Sequence, residues 1–384
     1  MAAWKSALPL LVAVALIIFE ERASVPSCEV VSVDRRDNSE IGKNDDDLTV
    51  MMVADLLLTG SDAGYVNLFF RDPYMAKFLK KSYKRLKPDM LVVLGDVSAN
   101  GSELTSNKWI SVLQQLQRIL GPFLGLPLHI VLGDREVGDC SKMNPKSVHR
   151  MASSLPGLDS SGCGAFEVSN ISFVSLNSVT MLCSNSMRFG VEGVIERESL
   201  DLRKHDNEIT GALYEPDNWR DDLEHFQWRE NAASSGSGPV LLLHLPLYRT
   251  SWMCSQTNAP VAKLGDKKDH WSSGKTEHRI VFSAHTHHFC EHIHKDGTRE
   301  VTVPATAWYA RDDPGFVVVK FGQGNAMTVS RCSLTRESHV IMAYASVLYR
   351  FNSITTKDLK VPRCRYQAFS LQDLMFALGL EFRR

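Results

Sequence analysis

The chain is punctuated by short apolar runs that end in a charged side chain. The run 48–54 stops at Asp55, 90–94 at Gly95-Asp96, and 129–132 at Gly133-Asp134. Farther along, 240–243 stops at His244 and 280–283 just before His285. Unbroken apolar runs of this length predict strands buried on both faces. Helical spacing marks 74–86 and 107–120. The second has Trp109, Leu113, Leu116 and Leu120 on one face and Gly121-Pro122 as its stop. Strand, helix, strand, helix, strand predicts a mostly parallel sheet. An antiparallel pair is predicted over 165–167 and 171–177, around Ser169-Asn170. Strands are also predicted over 299–303, 316–321 and 326–332. The stretch 200–238 is polar and irregular, which predicts a surface insertion with a short helix near 221–228.

The ends of the chain differ from this pattern. Lys5 precedes an apolar run, 7–19, closed by Glu20, Glu21 and Arg22. The run is shorter than the roughly 20 residues that span a bilayer, and it predicts a signal peptide or short signal anchor over 1–22. Residues 23–47 are polar and acidic and are expected to form a linker. The main domain is expected over 48–335. A tail over 336–384 follows, in which 340–348 begins like a membrane segment until Tyr349-Arg350 breaks it.

Composition narrows the classes. The 43 basic and 44 acidic side chains leave a formal charge of -1, so no nucleic-acid partner held by bulk charge is expected. The eight cysteines contain no C-x-x-C pair, which argues against a zinc ribbon and is compatible with an oxidising lumen. Their pairing stays open. Asn170-Ile171-Ser172 is an acceptor sequence for N-glycosylation. A second, Asn100-Gly101-Ser102, is expected to be shielded.

Ligands of α/β sheets gather at the carboxyl ends of strands. That edge collects Asp55, Asp96, Asp134, His244, His285 and His287. Carboxylate oxygens with imidazole nitrogens suit Mn, Fe or Zn, and two such ions sharing one carboxylate can clamp a phosphate. One Gly-Asp or one His after a strand means little. The ordered set means more: Asp, Gly-Asp, Gly-Asp-Arg, His and His-x-His resembles the five-part signature of the calcineurin-like metallophosphoesterases, D-x-H, G-D, G-N-H, H and G-H-x-H.

Segments such as "LKPDMLVVLGDVSANG", "LLLHLPLYR" and "VFSAHTHHFCE" resemble one branch of that family. It contains the phosphodiesterases that trim ethanolamine phosphate from GPI anchors, and their Cdc-one and Ted-one type relatives. The resemblance runs from about Leu48 to about Tyr344. It implies a four-layer α/β/β/α sandwich built on a pair of mostly parallel or mixed sheets. It also implies a divalent cofactor, most simply Mn, as one or two ions. The implied substrate is a GPI-anchor glycolipid or GPI-anchored protein at a membrane of the endoplasmic reticulum or Golgi, with the catalytic domain lumenal.

Carried over position by position, the resemblance makes Asp96 the bridging ligand. Asp134, His244 and His285 complete one ion, and Asp55 and His287 hold the other. Three positions depart from the signature. Leu57 stands where the first motif has histidine, Asp134-Arg135 replaces Asn-His, and Ala284 replaces the leading glycine of the last motif. Leu57 removes an imidazole, which weakens one ion position. Arginine stays charged near neutral pH and cannot act as a general acid. Arg135 is therefore expected either to hold a phosphate oxygen with its forked guanidinium or to pair with Asp134 or Glu136. Two functions follow: a metal-dependent phosphodiesterase, or a metallophosphoesterase-like protein that binds GPI-anchored cargo or phosphate without turnover. His292 and His294 are expected to lie exposed on one strand face. Lys80, Lys81, Lys84 and Arg85 are expected to form a solvated basic helix face.

Overall fold

The computed structural model describes residues 2–34, 47–138, 140–141, 143–183, 187–197, 239–247, 280–295, 297–322 and 326–358. The expected insertion over 200–238 and residues 248–279 lie outside the described residues.

Two six-stranded sheets face each other. The first has the order β1 (Ser27–Asp34), β12 (Met327–Ser333), β11 (Gly315–Phe321), β2 (Leu48–Val53), β3 (Met90–Leu94), β4 (Leu128–Val131). Strands β2, β3 and β4 run parallel, and β11 and β12 return antiparallel. The second has the order β5 (Gly164–Val168), β6 (Ile171–Ser175), β7 (Val240–Leu242), β8 (Ile280–Ser283), β10 (Arg299–Thr302), β9 (Cys290–Ile293). Its four central strands are parallel and its edges antiparallel.

The apolar runs form strands because both faces of each are covered. All of Met90–Leu94 is buried. Met90, Val92 and Leu94 join Phe173, Val240 and Phe282 in a core between the sheets. Leu91 and Val93 face the other way, into a second core under α2 (Asp72–Leu86) and α3 (Ser106–Leu120). Helix α2 starts with Pro73 in its first turn and ends at Lys87 in a left-handed conformation. Helix α3 buries Trp109, Val112, Leu116 and Ile119, and Gly121 (φ 45°) ends it. Beyond the second sheet, Val174, Leu241 and Val281 pack with Val191 and Val194 from a helix over 187–197, here α7. The shorter helices are α4 (Asp134–Val137), α5 (Pro145–Ala152) and α6 (Ser178–Met181). Helix, sheet, sheet, helix is the four-layer α/β/β/α sandwich that the resemblance implied.

Segments on both sides of the main domain carry regular structure. The segment read as a linker over 23–47 carries β1, and only three residues separate it from α1 (Ala2–Ala23). The exposed edge of β12 needs a partner for its backbone groups, and β1 supplies it from Ser27 to Asp34. Cys28 and Cys332 stand opposite each other in that ladder and form a disulfide. The expected tail contributes α8 (Glu337–Asp358), tied down where Glu337 accepts Arg71 Nε at 2.6 Å. Among the described residues no helix is long and apolar enough to cross a membrane. A second disulfide joins Cys140 and Cys183, and Cys290 is also disulfide-bonded. Asn170 is exposed, and so is Asn100, which was expected to be shielded. Asn100 escapes because it is the first residue past the buried stretch that ends at Ala99.

Candidate metal centre

The parallel strands β2, β3 and β4 end side by side, and so do β7 and β8 in the facing sheet. The six residues singled out in the sequence follow these ends. The backbone is left-handed at Asp55 (φ 53°), Asp96 (51°), His285 (67°) and His287 (61°). That conformation costs roughly 1–2 kcal/mol for a residue with a Cβ, so the surroundings must hold it. Asp55 N–H donates to Gly95 O at 3.2 Å and Leu57 N–H to Asp96 O at 3.0 Å. Two glycines let the strand ends approach. A Cβ on Gly95 would come within 2.4 Å of His244 Nδ1, and one on Gly133 within 2.2 Å of Asp96 Oδ1.

Asp96, Asp134, His244 and His285 each offer a ligand atom, and these atoms all lie within 4.8 Å of one another. His244 is fully buried, and its Nδ1 sits 2.8 Å from Leu94 O. A carbonyl only accepts, so Nδ1 carries hydrogen and Nε2 is the nitrogen turned into the cluster. Nε2 lies 2.7 Å from Asp134 Oδ1 and 3.4 Å from Asp96 Oδ1. His285 Nδ1 lies 2.8 Å from the same Asp134 oxygen. Burial opposes a charge on His244, but the Asp96 and Asp134 carboxylates override it and hold the imidazole pKa well above its usual value. Burial, with Asp134, Glu136 and Asp55 nearby, raises that of Asp96. Burial also works against Asp134, yet its bonds to His244 and His285 hold its pKa far below the usual carboxylate range. Negative charge concentrated around convergent oxygen and nitrogen donors fits a divalent cation.

The other half of the cluster is poorer. His287 Nδ1 lies 2.9 Å from Asp55 Oδ2, and Asp55 is completely buried. Its Oδ1 has no hydrogen-bond partner. A buried carboxylate oxygen left unpaired is costly, and a cation beside it would satisfy it. Leu57 (φ 50°) lies in the same turn, buried yet part of none of the apolar clusters. Of the donors expected at this position, Asp55 and His287 lie against each other, Asp96 groups with Asp134, His244 and His285 instead, and an apolar side chain stands in the same turn.

Arg135 is half exposed at the rim. Its N–H donates to Asp96 Oδ1 at 3.0 Å, and its Nε lies 3.8 Å from Asp96 Oδ2. The ion pair is thus with Asp96 rather than with Asp134 or Glu136. Asp134 takes the two histidines. Glu136 takes the N–H groups of Gly133 (3.0 Å), Asp96 (3.1 Å) and Ser98 (2.8 Å). Sequence alone assigns Glu136 no such role, although Gly133-x-x-Glu136 is a capping-box spacing at the start of α4. His292 and His294 are half-buried rather than exposed. The face is reversed: Ile293 points outward at 66% exposure, while His294 Nε2 pairs with buried Glu300 Oε2 at 2.9 Å.

Known proteins resemble this chain over most of its length. The family model described as calcineurin-like phosphoesterase matches residues 48–289. A Danio rerio protein named Metallophosphoesterase 1 is 25% identical over 344 residues, covering 84% of each chain. The Mus musculus protein of that name is 26% identical over 322 residues, covering 79% of this chain and 76% of that one. Among solved structures, a dimetal phosphatase from Danio rerio aligns with 76% of this chain and 99% of its own, at 12% identity and a TM-score of 0.41. A purple acid phosphatase from yellow lupin aligns with 71% of this chain and 49% of its own, at 14% identity and a TM-score of 0.42. The match over 48–289 takes in every strand end that carries a candidate ligand, and the chain belongs to the calcineurin-like phosphoesterase family.

Proposed function

We propose that this chain is a metal-dependent phosphodiesterase that removes ethanolamine phosphate from GPI anchors. In this reading it works at a membrane of the endoplasmic reticulum or Golgi, with its catalytic domain lumenal and Mn as the ion. The family and the four-donor group support the coarser part, a metal-dependent phosphoester hydrolase. The GPI assignment is supported by the likeness of the strand-end segments to the branch with that activity. Disulfides at Cys28–Cys332 and Cys140–Cys183 support an oxidising compartment.

The observation that carries the reading is the convergence of Asp96, Asp134, His244 and His285 within 4.8 Å. An ion held there supplies Lewis-acid charge to a phosphoryl oxygen and lowers the pKa of water. The protein's own residues do the rest. His244 is fixed in one tautomer by Leu94 O. Asp96 is held by the backbone on either side of it. Arg135, half exposed beside Asp96, offers a permanently charged fork to a phosphate oxygen. It cannot protonate a leaving group.

Leu57 and Arg135 favour a second reading, a binding protein that recognises phosphate on GPI-anchored cargo without turnover. Hydrolysis of bis(p-nitrophenyl) phosphate with Mn²⁺, beside Asp96→Asn, separates the two. Turnover lost in the variant supports the enzyme, and it justifies an assay of ethanolamine-phosphate release from a GPI glycolipid. Absence of turnover on both substrates, with folded protein and ion present, leaves the binding protein.

A further inference from the structure

The junction between α1 and the domain is stiff. Glu20 accepts Lys77 Nζ at 3.0 Å, and Glu21 pairs with Lys81. Tyr344 of α8 donates to Glu20, and Thr335 donates to the carbonyl of Ala23. Ser24 is fully buried, and its N–H caps back to Glu20 O at 3.1 Å. With three residues between α1 and β1, the domain cannot swing on a tether.

Upstream of that junction, every residue from Leu10 to Phe19 is apolar and none is buried. Leu10, Ile17 and Ile18 are 68%, 61% and 51% exposed. A protein groove covers one stripe of a helix, whereas this helix is apolar all round, the condition that a lipid phase satisfies. Beside the junction lies an aromatic rim. Tyr65 and Phe69 stack at 6.3 Å, and they are 83% and 72% exposed. The turn that carries Phe69 ends at Arg71, which binds Glu337 of α8 and lies 5.9 Å from the ring centre of Tyr309. Tyr309 is 61% exposed. Amphipathic aromatic rings of this kind settle at the headgroup level of a bilayer. Lys80 and Lys84, exposed on the α2 face that receives α1, add charge for anionic headgroups.

We propose that α1 enters a bilayer and that its rigid junction lays the rim of Tyr65, Phe69 and Tyr309 onto the lipid headgroups. The proposal rests on the membrane attachment in the reading above, not on turnover. The candidate centre then opens at the headgroup level. Just before Tyr309, the chain is bonded to the centre through Ala305 N–H and His287 O at 3.2 Å, and just after it Arg311 contacts His288.

Phe69 and Phe189 provide a matched pair, at 72% and 74% exposure. Phe189 lies on α7, beyond the opposite sheet. The full chain would be mixed with phosphatidylcholine vesicles containing phosphatidylserine, floated on a gradient, and footprinted with hydroxyl radicals read by mass spectrometry. Each rate is normalised to the unfolded chain. The expected result is flotation, with Tyr65, Phe69 and Tyr309 protected while Phe189 stays reactive. Flotation with Phe69 as reactive as Phe189 would overturn the orientation. A folded chain that does not float would overturn the attachment. Either failure leaves the hydrolysis assay to judge the catalytic reading separately.

Discussion

Glu136 accepts the backbone N–H of Asp96 at 3.1 Å across 40 positions of sequence. The same oxygen takes Gly133 N–H, and its neighbour takes Ser98 N–H. One fully buried carboxylate thus pins the turns after β3 and β4, and with them Asp96 in its left-handed conformation. Glu136→Gln keeps the shape but turns an NH₂ toward N–H donors. Loss of a group that orients a ligand typically costs about 10–100-fold in metal affinity. That drop in Mn²⁺ affinity is the expected result by calorimetry, with circular dichroism unchanged.

Leu57→His should add an ion rather than disturb the fold. The backbone at Leu57 already has φ 50°, a region where histidine is enriched and leucine is uncommon. The new imidazole would join Asp55 and His287, which already lie against each other. Metal analysis of the variant after equilibration with Mn²⁺ is expected to show a second ion per chain that the unmodified protein lacks. An unchanged ion content would mean that Leu57 is not what limits that position.

His129 gives a pH signature independent of the metal ligands. It is buried against Phe166, with Nε2 2.8 Å from Ser175 Oγ, and burial pushes its pKa down to about 3. The unfolded chain takes up the proton near pH 6.5 and the folded chain does not. Stability from this group is complete above pH 6.5 and falls by about 1.4 kcal/mol per pH unit until pH approaches 3. Between pH 6.5 and 5, His129→Phe should lose roughly 2 kcal/mol less than the unmodified chain by urea titration.

Removing the Cys28–Cys332 bridge should be costly. The bond closes a separation of 304 residues and fastens β1 to β12. Loss of such a bridge is expected to destabilise by roughly 2–5 kcal/mol. Cys28→Ser should show this as a lower urea midpoint, with the β1 amides exchanging faster than those of β3.

Much of the fold was legible because the central strands are buried on both faces, so β3 reads as an unbroken apolar run. The four donors that converge, Asp96, Asp134, His244 and His285, were legible because each stands at or just past the end of such a run. Edge strand β1 was not, since Val30 is 57% exposed and the segment around it is polar. The reversed face of β9 was hidden for a related reason. His292 and His294 alternate with Ile293 in sequence, but only buried Glu300, on the neighbouring strand, decides which side turns inward. Glu136 left only a faint local trace, because two of its three bonds reach a turn that is far away in sequence.

The central claim is that Asp96, Asp134, His244 and His285 hold a divalent ion. The chain would be stripped with chelator, equilibrated with Mn²⁺, freed of excess and measured for metal per folded chain, beside His244→Ala. The account predicts one tightly held ion that the variant loses. A folded chain that retains no ion, or a variant that retains as much as the unmodified protein, would contradict it.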